Sequence, residues 1–322
     1  MINRRDFFKR SSLIALGGLM AGKLSAAESM SNAMPSVAET AGKKKIGLQI
    51  YSLFNELYEG DLDANLKKLA QMGYTDLELA GYNNGKLHNM TLPEFKKHCD
   101  GAGLKIVSSH VNPPVREYTK DNFASIQEYW KKTAADHAEI GCKFLIQPGL
   151  PSTRSIEETK YVCEVFNEAG KIVKAAGPQF GYHNHDMEFS RVEEGGKEPV
   201  FGRRARKGEY IYDLFLKNTD KNLVVFEMDV YWTVMGQQDP VAYMRNYADR
   251  IRALHIKDSY ILGQSGEMNF QNIFTQAYKN GIQDFFVEIE QAPSNINLPK
   301  GYKQFQAAAE SAKYLLAAKF VK

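Results

Sequence analysis

The sequence predicts an α/β chain folded as one closed (β/α)8 TIM barrel behind an N-terminal signal peptide. Three observations carry that reading. Eight short apolar runs recur between residues 45 and 291. Longer amphipathic stretches separate them, the pattern of repeated βαβ units that build a parallel sheet. Several of those stretches stop at a glycine just before the next run, where a helix commonly ends in a left-handed residue. Eight units are enough to close the sheet on itself, and 322 residues is a length that such barrels reach as a single domain.

In chain order, residues 1–27 place Arg4 and Arg5 before Phe7, Phe8 and Lys9, then an apolar stretch from Leu13 to Ala21, then small residues at Ser25, Ala26 and Ala27. This is the layout of a twin-arginine-type signal peptide, cleaved on export. The apolar stretch is short for a bilayer span and Lys23 interrupts it. A periplasmic chain with no stable membrane association after cleavage is therefore expected. Residues 28–43 are small, polar and aperiodic, and read as a flexible linker.

The barrel occupies residues 44–322. Its first run, KIGLQIY (45–51), leads to helix-like DLDANLKKLAQMG; YTDLELA (74–80) leads to TLPEFKKHCDGAG; LKIVSSHV (104–111) leads to FASIQEYWKKTAADHAEIG. CKFLIQPG (142–149) precedes IEETKYVCEVFNEAGKIVKAAG, and QFGYHNHD (179–186), LVVFEMDV (223–230), IRALHIKD (251–258) and FFVEIEQ (285–291) complete the set. One segment breaks the rhythm. SRVEEGGKEPVFGRRARKGEY, at about 190–210, is charged and glycine-rich, an insertion expected to lie partly over the barrel mouth.

Apolar residues at 43% and charged residues at 25% suit a globular chain with a sizeable core and exclude wholesale disorder. The formal charge of +3 belongs to the leader. Residues 1–27 hold five basic residues and one acid, so of 41 basic and 38 acidic residues 36 and 37 remain. That balance offers no basic stripe to a phosphate backbone, which argues against nucleic acid as a partner. Cys99, Cys142 and Cys163 are odd in number and far apart, so neither a disulfide framework nor a zinc spacing is indicated and packing is their expected role. A homo-oligomer is left open.

Barrels place their chemistry at the C-terminal ends of the strands. Those positions hold Gln49 and Tyr51, Glu78, His110, Gln147, His183 with His185, Glu227 with Asp229, His255 with Lys257, and Glu288 with Glu290. Four of the seven histidines fall there, a bias that random placement rarely yields. The period of two gives each of the last four pairs one shared face. With that face turned inward, imidazoles and carboxylates from four consecutive strands meet in a small volume. Burying such a cluster is costly without a counter-ion. One divalent metal ion accounts for it, and mixed imidazole and carboxylate ligation suits Mn, Co, Zn or Fe, with Mg less natural as histidines accumulate.

YHNHDMEF, FEMDVYWTVMGQQDP, RIRALHIKDS, GEMNF and FFVEIEQ together resemble successive signatures of the xylose isomerase-like TIM-barrel superfamily, whose members include sugar isomerases, epimerases, inosose dehydratases and type 2 AP endonucleases. The likeness runs from Lys44 to the end, and Asp-Val-Tyr-Trp and His-x-Lys-Asp are its most specific parts. The resemblance implies one divalent metal held by His183, Asp229, His255 and Glu288, with His185 as a neighbouring substrate-binding histidine. His183 stands where many members carry glutamate, a departure from the matched carboxylate pair of family epimerases.

A metal chelating a ketone and the adjacent hydroxyl stabilises an enediolate when the neighbouring C–H proton leaves. Glu288 is the favoured base, with Lys257, Glu290 and His185 in reserve. Trp232, Tyr51 and Phe54 suit the apolar face of a sugar ring, and Gln49, Gln147 and Asn184 its hydroxyls, while Glu78, His110, Glu227 and Glu290 complete the substrate-binding rim. The expected activity is sugar isomerisation or epimerisation on a small-molecule keto-sugar. Elimination from a 3-keto-glycoside, by a lyase or dehydratase, is the alternative that the imidazole at His183 brings forward. A non-catalytic carbohydrate-binding barrel is a third reading, distinguished by having no need of a metal. A phosphodiesterase of the AP endonuclease kind would want several metals and a basic face, which the charge balance does not supply.

Overall fold

The computed structural model describes residues 44–202, 207–292, 294, 296 and 298–322. The expected leader and linker, and part of the expected insertion, lie outside the described residues.

The eight apolar runs become eight parallel strands: β1 (Gly47–Gln49), β2 (Asp76–Leu79), β3 (Lys105–His110), β4 (Phe144–Gln147), β5 (Gln179–His183), β6 (Val224–Asp229), β7 (Ile251–Ile256) and β8 (Asp284–Val287). Each pairs with its sequence neighbours and β8 pairs with β1, closing the barrel. Short strands with both faces covered must be apolar nearly throughout, which is why the runs lack a polar outer face. Between them lie α1 (Leu62–Met72), α2 (Leu92–Ala102), α3 (Phe123–Glu139), α4 (Ile156–Ala176) and α5 (Ile211–Asn218). Two short helices, α6 (Val230–Met235) and α7 (Pro240–Asn246), follow β6, then α8 (Phe270–Lys279) and, after β8, α9 (Gln304–Ala317). Asp61 caps the start of α1, Thr91 and Glu94 form a capping box on α2, and both helices stop at a left-handed glycine, Gly73 and Gly103. The 190–210 insertion opens and closes with the paired strands Arg191–Val192 and Glu209–Tyr210.

Two apolar layers hold the site in place. The larger lies between the strands and the helices; the smaller fills the barrel itself with Val107, Phe144, Ile146, Val225 and Phe286. Gly47 makes room for the inner layer, since a Cβ there would sit 2.5 Å from both the Phe286 ring and the Phe285 carbonyl oxygen. At the N-terminal pole Asp284 pairs with Lys45 and Lys143, each at 2.5 Å. Cys99, Cys142 and Cys163 are all free and buried. Among the described residues no helix is long and apolar enough to cross a membrane.

Candidate metal centre

Local sequence delivers each polar group to the C-terminal pole. Strand β5 stops at His183, and the chain turns around Glu188, which accepts the Tyr182 hydroxyl at 2.5 Å and the His185 backbone N–H at 2.9 Å. Burial pushes the Glu188 carboxyl up to about 7. The turn leaves the His185 ring edge-on to His183, with centroids 4.9 Å apart. Strand β6 runs straight into α6 with Asp229 as its N-cap, Oδ1 accepting the Trp232 backbone N–H at 2.8 Å. Capping occupies one oxygen and leaves Oδ2 at 3.6 Å from His183 Nε2.

His183, Asp229, His255 and Glu288 are all buried, and each offers a ligand atom within 4.8 Å of the others. His255 Nδ1 lies 3.2 Å from Glu288 Oε2 and 4.0 Å from Asp229 Oδ2. Bonds of about 2.1 Å to a shared cation place ligand atoms about 3 to 4.2 Å apart, so these spacings suit one ion. The donor set fits as well. Neither nitrogen of His183, nor Asp229 Oδ2, finds a hydrogen-bond partner among the described residues despite full burial. An unpaired buried polar group costs about 1 to 3 kcal/mol, so three together point to a missing partner. Burial, then the imidazoles of His255, His185 and His110, hold His183 neutral, the form that ligates metals.

The charges around this centre are strongly interdependent. Burial pushes Asp229 up to about 7, with the charge of Glu288 adding to it and those of Lys257 and His255 opposing. Against the cost of burial, Lys257 and His255 keep Glu288 well below the usual carboxylate range. Lys257 donates to Glu288 at 3.0 Å and to Glu290 at 2.7 Å, and those carboxylates with Asp229 raise its ammonium above the ordinary value despite burial. Its Nζ also sits 4.8 Å from the centroid of the Trp232 ring. Burial lowers His185 to about 4, so its imidazole is neutral near pH 7.

A second group, Glu78, His110 and Glu227, shares His255 from its other side. His255 Nε2 lies 2.5 Å from Glu78 and 3.2 Å from Glu227, and His110 Nε2 lies 2.9 Å from Glu227. Glu78 and Glu227, expected on the substrate rim, are fully buried and turned towards the two imidazoles. Strand pairing shifts register beside each of them, between Leu77 and Glu78 and between Phe226 and Glu227. Such bulges re-aim side chains next to functional sites.

The remaining rim candidates divide. Tyr51 is 46% exposed and packs edge-on against Phe54 at 5.1 Å. Glu290 is partly exposed outside Lys257. Gln49 is buried, donating to Glu78 at 2.8 Å. Gln147 is buried between the Tyr118 hydroxyl and the Gly149 carbonyl, and Asn184 between Thr233 and the Asp229 backbone N–H. Several residues of the site were not singled out by sequence reasoning. Ser108 donates to Glu78 at 2.6 Å, Ser52 accepts the Ile289 N–H at 2.9 Å, and Gln304 ties Ser52 to Glu290 through their carbonyl oxygens. Glu188 stood inside the motif YHNHDMEF and was its one readable signal, while Gln304 comes from a helix with no motif at all.

Residues 66–317 match the family described as xylose isomerase-like TIM barrel. The chain belongs to that family. Two crystal structures of sugar phosphate isomerase/epimerase proteins from Parabacteroides distasonis ATCC 8503 resemble this xylose isomerase-like barrel closely. One is 52% identical with a TM-score of 0.79, covering 87% of this chain and 100% of that one. The other is 47% identical with a TM-score of 0.80, covering 90% and 100%. Inosose dehydratase of Geobacillus kaustophilus (strain HTA426) is 23% identical over 246 residues, 68% of this chain and 71% of that protein. This family member is thus a sugar isomerase/epimerase-like barrel with a buried His, Asp and Glu cluster consistent with a divalent metal site.

Proposed function

We propose that the protein is a divalent-metal-dependent enzyme that removes the proton from a carbon beside the ketone of a sugar and acts through the resulting enediolate. The observation that carries this reading is the convergence of His183, Asp229, His255 and Glu288, with His183 and Asp229 Oδ2 lacking a hydrogen-bond partner among the described residues, beside groups able to move a proton. A divalent cation held there would polarise the ketone and offset the charge developing on its oxygen. Glu288, kept ionised, takes up the proton, and neutral His185 is the second group able to accept or return one. Lys257 stays charged, which suits it to stabilise a developing oxyanion and not to act as a base. Trp232 and Tyr51 offer ring faces to the apolar side of the sugar.

The substrate we favour is an unphosphorylated keto-sugar. Export to the periplasm, expected from the twin-arginine-type pattern of residues 1–27, would fit such a substrate, since phosphorylated sugars are chiefly cytoplasmic. Isomerisation or epimerisation is the first reading. Elimination from a 3-keto-glycoside is the second, favoured by the imidazole pair at His183 and His185, which leaves the matched carboxylate pair of an epimerase incomplete. The test is incubation of metal-loaded protein with ketoses and with 3-keto-glycosides in deuterated water. Metal-dependent exchange of a C–H next to the ketone supports the proposal, aglycone release selects elimination, and sugar binding with neither outcome leaves a non-catalytic barrel.

A further inference from the structure

We propose that Glu78 is a positioning residue that commits His255 to coordinate the metal through Nδ1. The inference rests on the metal centre described above and adds a residue that does not touch the ion. Glu78 comes from β2 and lies on the opposite side of the His255 ring from Asp229 and Glu288. Its Oε2 is 2.5 Å from His255 Nε2 and also receives the Gln49 amide at 2.8 Å. Its Oε1 receives the Ser108 hydroxyl at 2.6 Å. Both oxygens are therefore held, and the register shift beside Glu78 is what sets Ser108 opposite it.

An imidazole ligates through one nitrogen and needs an acceptor for the hydrogen on the other. A carboxylate at Nε2 fixes the tautomer, sets the ring plane and makes Nδ1 a stronger donor. The two clusters sharing His255 differ in the way this requires. In the cluster of Glu78, His110 and Glu227 imidazole nitrogens and carboxylate oxygens already meet at 2.5 to 3.3 Å. On the other side His183 and Asp229 Oδ2 have no partners among the described residues. Glu227 Oε1 also lacks a partner among the described residues, yet both Glu78 oxygens are bonded; with three unpartnered atoms on the His183 and Asp229 side against one, the ion belongs there, and Glu78 with the set that orients His255.

The test is titration of Co(II) and Mn(II) into the metal-free full chain, its Glu78→Gln variant and its Asp229→Asn variant, recording affinity, the visible Co(II) absorption bands and the melting of the metal-free proteins. Glu78→Gln is expected to weaken binding about ten- to a hundredfold while leaving the Co(II) bands in place, since the ligands are unchanged. Asp229→Asn is expected to lose or shift the bands. Should Glu78→Gln not fold, Ser108→Ala, which loosens Glu78, is expected to weaken binding to a smaller extent with bands unchanged. Parent-like affinity in the variant, or bands displaced as in Asp229→Asn, overturns the inference; the latter would make Glu78 itself a ligand. Failure of the parent to bind either ion would instead defeat the metal centre.

Discussion

Asp229 Oδ1 accepts the Trp232 backbone N–H at 2.8 Å, so the residue that starts α6 is also the one whose other oxygen meets His183. One carboxylate thus couples helix capping to the metal centre. Replacing Asp229 by Ala is expected to abolish metal retention and turnover together, and to cost about 1 kcal/mol through the lost cap. Metal analysis after gel filtration and a keto-sugar assay check this. An active, metal-free Ala variant would contradict it.

Metal binding is expected to release protons. In the metal-free protein burial lifts Asp229 to about 7, and Glu227, Glu288 and Glu78 hold a proton on His255 well above its ordinary value against the opposing effect of burial. Below pH 7 an incoming cation displaces protons from both groups; above it, chiefly from His255. Affinity should therefore fall as the pH drops through 7. Calorimetry in buffers of different ionisation enthalpy is expected to give about two protons released at acid pH and about one at alkaline pH. His183, already neutral, adds none.

Lys257 sits between Glu288 and Glu290 and beneath the Trp232 ring. Lys257→Met removes its charge without removing a metal ligand. Turnover should drop about a hundred- to a thousandfold, the loss typical of one oxyanion-stabilising group, while the metal affinity is kept or increased. Turnover and Mn(II) affinity measured side by side decide this, and equal losses of both would show that Lys257 supports the site only through structure.

Inside the barrel, a Cβ on Gly47 would meet the Phe285 carbonyl oxygen at 2.5 Å, an atom that cannot swing aside. Gly47→Val is expected to destabilise the fold by about 1 to 3 kcal/mol. A lower urea midpoint with an unchanged m-value would report it.

The barrel is legible in the sequence because both faces of every strand must be covered, which makes the eight runs apolar through their middles and leaves polar residues to their ends. Boundaries are less so. KIGLQIY reads as strand through Tyr51, yet β1 stops at Gln49, whose side-chain oxygen takes the Tyr51 N–H as the chain enters a 3-10 turn with Phe54 at φ 47°. His183 and His185 read as alternating residues of one strand. They come together instead through the Glu188 turn, with His185 past the strand's end. Glu78 and Glu227 look like mouth residues by position. Register shifts and His255, which reaches Glu78 from a strand 177 residues away, give them another setting, and neither is visible in a local pattern.

The most direct measurement is anomalous diffraction at the absorption edge of Mn, Co or Zn from crystals grown with that ion. A single peak at about 2.0 to 2.4 Å from His183, Asp229 Oδ2, His255 Nδ1 and Glu288 is the expected result. A peak among Glu78, His110 and Glu227, or no peak at all from crystals soaked at saturating metal, would contradict the account.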